Sequence, residues 1–202
     1  MTSDRDNKLK KLAEENREPK HNINNIFIHR WSPRALGREM KEDELKALFE
    51  AARWAPSSYN NQSWRFLYAT HEDEEFGKFK ELLNEFNEKW ASSAYSLILI
   101  VSKKTFDHNG EESITHSFDT GAAWQNLALE AADRGLVAHG MQGFNYEKAK
   151  NTLDIPDEYQ VEAMVAVGSM EDERKLPTDM QVQPNGRKPI EETICKGKFD
   201  FE

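Results

Sequence analysis

"YSLILIV", residues 95–101, is a continuous β-favouring run. A strand points successive side chains to opposite faces, so a run that is apolar at every position has two faces to cover. The stretch therefore predicts a central strand with a layer packed on each side. Candidate neighbours lie before and after it. "WRFLYAT" (64–70) reads as a strand, and "QVEAMVAVG" (160–168) alternates well enough to be another. "GLVAHGMQGF" (135–144) reads as a short strand running into a glycine loop.

Helices fall between these strands. Over 41–54, Leu45, Leu48, Phe49 and Ala52 recur at helical spacing, and Glu42, Asp43 and Glu44 favour the dipole of the first turn. Pro56 stops that helix, because the residue before a proline avoids helical geometry. Residues 74–90 predict one amphipathic helix carrying Phe76, Phe79, Leu82, Leu83 and Phe86. An Ala-rich helix over 117–134 ends at Arg134-Gly135, its small side chains permitting close approach, and 145–151 predicts a short one. Helices and strands are mixed without steady βαβ alternation, which favours α+β over a doubly wound sheet.

The 202 residues suit one domain. Residues 1–24 are charged and Asn-rich and read as a loose arm or frayed helix, with the ordered domain (25–202) beginning near Ile26. The tail from Ser169 is polar, carries Pro177, Pro184 and Pro189, and is long for an unstructured segment; it is expected to wrap a second subunit.

A net charge of −9 and a pI near 5.3 exclude a broad nucleic-acid-binding face. One cysteine, Cys195, excludes a disulfide framework and a multi-cysteine zinc site. No apolar stretch reaches membrane-span length, and no signal-peptide core is visible, so the expectation is a cytoplasmic protein. The six histidines lack metal-ligand spacing and sit in polar contexts that read as surface. A G-x-S-x-G nucleophile elbow, a Rossmann fingerprint and a P-loop are all missing. An enzyme of this kind would leave the hard chemistry to a cofactor.

Four segments could bind one. In "HRWSPRAL" (29–36), Arg30, Ser32 and Arg34 alternate, so an extended chain puts them on one face. Two guanidiniums and a hydroxyl suit a phosphate dianion, though pairing with Glu42 or Asp43 is the plainer alternative. "APSSYNNQSW" (55–64) gathers neutral amides and hydroxyls that suit a heteroaromatic edge, or simply an Asx-rich turn. "HGMQGF" (139–144) is a glycine loop whose backbone N–H groups could approach a ligand, or a strand-ending turn. "NGRKP" (185–189) brings Arg187 and Lys188, as added positive charge or as solvated surface.

In their order, these segments resemble the FMN-dependent nitroreductase family over residues 26–190. "HRWSPRAL" is similar to its R-x-S-x-R signature, "APSSYNNQSW" to its P-S-x-x-N-x-Q-P-W segment, "HGMQGF" to its flavin-N5 loop and "GRKP" to its late basic cluster. Ser63 stands where that family usually has proline, Pro33 sits inside the first motif, and Gly140 replaces a common proline in the third. A helical insertion over the active site is not evident, since 102–116 reads as a polar loop.

The resemblance implies an α+β three-layer sandwich, with a mostly antiparallel sheet between helices, in an entwined homodimer holding FMN at its interface. Arg30, Ser32 and Arg34 would hold the FMN phosphate with Arg187 and Lys188. Asn60 and Gln62 would bond the ribityl chain or ring edge, and Pro56, Ser57 and Ser58 would line the ring from the partner subunit. Gln142 and Gly143 would approach the flavin N5 through backbone N–H groups. NADH or NADPH would reduce the FMN, which would then reduce a nitroaromatic, quinone or similar small acceptor in ping-pong order. A flavin carrier or sensor without turnover, reductive dehalogenation and flavin fragmentation are the alternatives. No metal is expected, on the histidine spacing and the single cysteine.

Overall fold

A computed structural model describes the backbone of residues 2–201 and the side chains of residues 8–201. Met1 and Glu202, which the arm and tail readings include, lie outside the described residues. In chain order the elements are α1 (Thr2–Asn16), α2 (Ile26–His29), β1 (Leu36–Gly37), α3 (Glu42–Arg53), β2 (Trp64–Thr70), α4 (Phe76–Lys80), α5 (Glu85–Ala91), β3 (Ser96–Lys103), α6 (His116–Asp133), β4 (Leu136–Met141), α7 (Tyr146–Thr152) and β5 (Tyr159–Met170).

The sheet is antiparallel at every pairing among these strands. β5 is its spine: β3 lies along one side through Val167, and β4 along the other from Met164 to Ser169. β1 continues on the β3 side at Ser169 and Met170, and β2 closes the far edge of β3. Gly168 makes this junction possible, because a Cβ there would lie 2.3 Å from the carbonyl oxygen of Gly37.

The quoted run behaves as its sequence requires. Leu97, Leu99 and Val101 enter one core with residues of α1, α4, α5 and α7, whereas Ile98 and Ile100 enter a second core with α3 and α6. Two apolar layers on one sheet make the three-layer α+β sandwich expected from the resemblance. Leu45, Leu48 and Ala52 on α3 face Ala123, Leu127, Ala128 and Ala131 on α6, where small side chains let the helices close.

Three expectations need correction. Residues 2–16 form a helix that belongs to the domain: Leu9 is 1% exposed, Ala13 is fully buried, and both join the first core. The boundary near Ile26 therefore moves toward the N-terminus. The single helix over 74–90 is two, because the Asn84 side chain caps α5 by accepting from the Asn87 N–H and Leu83 bridges to Phe144. The histidines are not all surface groups. His29 is buried against Glu14 (2.7 Å), His139 contacts the Pro33 carbonyl, and His116 Nδ1 lies 2.7 Å from the Ser102 hydroxyl.

The tail folds on its own subunit at least through Pro184, which is buried, as are Glu173 and Met180. The two oxygens of Glu173 accept from the N–H groups of Arg34 (2.7 Å), Ala35 (3.0 Å) and Val182 (3.2 Å). This one carboxylate ties the signature segment to the tail. From Asn185 to Phe201 the tail is exposed.

Candidate cofactor-binding site

A cavity of about 690 Å³ opens beside the edge strand β4. Phe27, Arg30, Ser32, Trp124, Gln125, Gly140, Met141, Gln142, Ala163 and Arg187 line it. Residues from three of the four sequence segments thus meet here, 157 positions apart at the extremes from Arg30 to Arg187.

One end is cationic. Trp31 and Pro33 turn inward and are buried, which leaves Arg30 and Ser32 on the open side, with Arg30 Nη1 3.3 Å from Ser32 Oγ. Arg187 reaches the same end from the tail, and Arg17 lies behind them. Arg17 donates to the carbonyls of Ile28 (2.7 Å) and Arg30 (2.9 Å), and to the carbonyl (2.9 Å) and side-chain oxygen (3.1 Å) of Asn185. Those acceptors are all neutral. Burial, then the charges of Arg187 and Arg30, pushes Arg17 down to about 10, and burial with Arg187 also lowers Arg30. Guanidiniums that repel one another around a hydroxyl fit a bound dianion, which would relieve the repulsion. The plainer alternative fails at Glu42, which pairs with Lys46 at 2.7 Å.

Arg34 does not join Arg30 here. Its guanidinium sits 4.9 Å over the Phe86 ring, Nη1 reaches the Met180 carbonyl at 3.3 Å, and the side chain lines a different cavity of about 550 Å³. The cause is the backbone, because Glu173 captures the Arg34 and Ala35 N–H groups and draws the chain into β1. Lys188 also turns away, toward Glu192 at 3.9 Å. Gly143 is held from behind: its carbonyl accepts from Asn84 N (3.0 Å) and Asn87 Nδ2 (3.0 Å), and a Cβ would lie 2.5 Å from both side-chain nitrogens.

The opposite wall was not singled out from the sequence. Trp124 and Gln125 project from α6, and Trp124 packs so closely on β4 that a Cβ at Gly140 would lie 3.1 Å from its ring. Gly140, noted only as a departure from the family pattern, is the signal that could have revealed this contact. Phe27, Met141 and Ala163 complete the lining. His139 fixes the segment to the sheet, its Nδ1 donating to the Pro33 carbonyl at 2.8 Å while its ring packs on Trp90.

Pro56, Ser57, Ser58, Asn60 and Gln62 lie elsewhere, in the loop between α3 and β2, and none lines this cavity. Tyr59, Asn60 and Gln62 all have left-handed backbones, with φ of 51°, 53° and 50°. Such geometry is costly for residues other than glycine and tends to persist where the surroundings enforce it. Here Ser57 Oγ accepts from Gln62 N (3.0 Å), Asp119 on α6 accepts from Ser58 N (3.0 Å), and Asn61 bonds Ser63, Thr105 and Asp107. Asn61 thus does the fastening, leaving the side chains of Tyr59 and Asn60 exposed.

Among the described residues no group of three or more His, Cys, Asp or Glu side chains could hold a metal ion, and no helix is long and apolar enough to cross a membrane.

Comparison with known proteins bears on the family and the fold. The sequence pattern of the Nitroreductase family matches residues 28–97 and 78–169. A putative NAD(P)H nitroreductase, MhqN, of Bacillus subtilis strain 168 is 24% identical over 191 residues, covering 78% of this chain and 89% of its own. An uncharacterised 15.4 kDa protein of Mycolicibacterium smegmatis is 31% identical over 133 residues, covering 63% and 86%. The crystal structure of an oxidoreductase containing FMN is similar with a TM-score of 0.88 and 41% identity, covering 92% of this chain and 97% of that one. A nitroreductase family protein of Streptococcus pneumoniae TIGR4 shares the fold with a TM-score of 0.67 at 20% identity, covering 83% and 96%. With its family pattern spread across the sheet, α6 and the signature segment, the chain belongs to the nitroreductase family.

Proposed function

We propose that this protein is an FMN-dependent oxidoreductase that takes electrons from NADH or NADPH and delivers them to a nitroaromatic, quinone or similar electron-poor acceptor. The observation that carries the reading is the meeting of Arg30, Ser32 and Arg187 at one end of a cavity walled by Trp124, Met141 and Gln142. FMN, when bound, supplies the two-electron carrier that such a reaction needs. The similar solved structure is described as containing FMN, and MhqN is named for NAD(P)H, which supports both assignments.

The protein's part is to bind and orient. Arg30 and Arg187 would meet the phosphate with charge-assisted bonds and Ser32 would add a hydroxyl. Gln142 and Gly143 present the loop after β4 to the ring, while Arg34 anchors the signature segment to the tail and leaves the phosphate to the others. Lys188, turned toward Glu192, is left out of the phosphate set. Solvent supplies the protons of the acceptor, and one open cavity serves reductant and acceptor in turn.

The loop of Pro56, Ser57, Ser58, Asn60 and Gln62 serves the second copy of a homodimer. What favours this is its surroundings: it is bonded to Asp119 of α6, and Ile114 and Phe118 nearby are 86% and 81% exposed. Exposed apolar groups beside a strained, amide-rich loop suit a protein interface.

Purified protein should be yellow and show flavin absorbance, and anaerobic NADH or NADPH should bleach it. Replacing Arg30 by alanine should weaken FMN binding by about 10- to 100-fold, the worth of one charge-assisted hydrogen bond. Colourless protein that takes up no added FMN overturns the proposal. Bound FMN that neither nucleotide bleaches would make the protein a carrier or sensor.

A further inference from the structure

We propose that Arg17 is a positioning residue that assembles the anion-binding end of the cavity, by clamping the segment bearing Arg30 to the tail bearing Arg187. The proposal rests on the flavin reading for the identity of the anion. Its geometry stands on the structure alone.

Arg17 follows α1, whose Leu9 and Ala13 are buried in the core, so its backbone starts from a fixed point. Its planar fork spans two segments far apart in sequence. Nη1 holds the carbonyls of Ile28 and Arg30 at 2.7 and 2.9 Å, while Nε and Nη2 hold the carbonyl and side-chain oxygen of Asn185 at 2.9 and 3.1 Å. Arg30 is therefore held at its own backbone, and Arg187 stands two residues beyond the other anchor. Arg187 Nη1 turns back to the same Asn185 side-chain oxygen at 3.1 Å, so Arg17 and Arg187 share an acceptor. The tail from Asn185 onward is exposed, and little else of its packing would fix Arg187. A second tie, Lys20 to Glu191, lies outside the first and is open to solvent, where such pairs contribute little.

Arg17 is suited to this role and lysine is not. A guanidinium offers five donors in a rigid plane, whereas an ammonium is a point charge that cannot bridge four acceptors on two segments. Placing a third cation behind two others costs repulsion in the empty site. A bound dianion would offset that cost.

The experiment compares FMN with riboflavin, which lacks the phosphate, by fluorescence titration of wild type, Arg17→Lys and Arg17→Gln. FMN affinity should fall about tenfold or more in both variants, as expected for losing two or more hydrogen bonds that order the site. Riboflavin affinity should change less than about twofold on the same reasoning. In an Arg187→Ala background, Arg17→Gln should cost much less FMN affinity, because the clamp then has no second ligand to place. Limited proteolysis of residues 181–192 should be faster in both variants.

Unchanged FMN affinity, equal losses for FMN and riboflavin, or full retention by Arg17→Lys would each overturn the clamp. If wild type binds neither probe, the flavin reading fails by itself. Tail proteolysis then decides Arg17 alone: faster cleavage in both variants keeps the clamp, and unchanged cleavage removes it.

Discussion

Glu173→Ala tests the claim that one buried carboxylate holds the signature segment in place. The side chain is 6% exposed and takes three backbone N–H groups, two on Oε1 from Arg34 and Ala35 and one on Oε2 from Val182. A hydrogen bond to a charged acceptor contributes about 1.5–3 kcal/mol, but three on one group do not add, because water and chain relaxation recover part of the loss. A cost of about 3–5 kcal/mol follows, the range for removing one partner of a buried charged network. Glu173→Gln divides this cost. Its amide oxygen keeps both bonds on the Oε1 side, while its NH2 group faces the Val182 N–H, so the loss should be about 1–2 kcal/mol. In urea, with a slope of about 2 kcal/mol per molar, the midpoint should fall by about 1.5–2.5 M for alanine and about 0.5–1 M for glutamine. Far-UV circular dichroism at fixed protein concentration reads both. An alanine midpoint within about 0.5 M of wild type, or a glutamine variant weaker than alanine, would refute the reasoning.

Two further predictions concern the sheet beneath the site. Burial, with the Arg34 and Arg30 charges behind it, holds His139 down at about 4 against an ordinary 6.5, despite the Pro33 bond that opposes the shift. The unfolded chain therefore takes up this proton first, so the stability His139 contributes is complete above pH 6.5 and is lost as pH falls toward 4. The loss is at most about 3 kcal/mol. His139→Asn can still donate to the Pro33 carbonyl but has no proton to gain. Its urea midpoint should fall less than that of wild type between pH 7 and pH 4.5, and parallel falls would show that His139 does not titrate as described. Gly168→Ala should cost more than about 3 kcal/mol, since its Cβ would lie 2.3 Å from a backbone oxygen where β1 meets β5 and neither chain can rotate away. A melting temperature within about 2 °C of wild type would contradict that packing.

The layers were legible because their signal is local. Alternation within 95–101 sorts Leu97, Leu99 and Val101 from Ile98 and Ile100 without knowledge of any partner, and "WRFLYAT" coincides with β2. The break at Asn84 was harder, since the apolar spacing of Phe76, Phe79 and Leu83 suits a continuous helix. What interrupts it is a bridge from Leu83 to Phe144, 61 positions later, which no local period reports. Asn84 with Asn87 was the available hint, an N-cap pattern inside an amphipathic run. In the first 24 residues, high charge outweighed the spacing of Leu9, Leu12 and Ala13, although those three already mark one helical face.

The site divides the same way. Arg30 and Ser32 share a face because extended residues alternate, and that much follows from spacing alone. Arg34 obeys the alternation and still leaves the group, because a carboxylate 139 positions away bonds its N–H and turns the chain. Arg17 carries no motif at all. It matters because α1 docks and Asn185 returns, two tertiary events that place four neutral oxygens around one guanidinium. Trp124 lies within an Ala-rich helix whose composition signals packing alone, and the missing Cβ of Gly140 leaves the room its indole takes against the sheet edge. Motif residues mark the proposed anion end of the cavity, whereas the residues that hold the motif there are set by the fold and are found by following its backbone hydrogen bonds. That asymmetry makes Arg17 and Glu173, two charged side chains bonded mainly to backbone groups, better tests of the site than another substitution among its proposed cations.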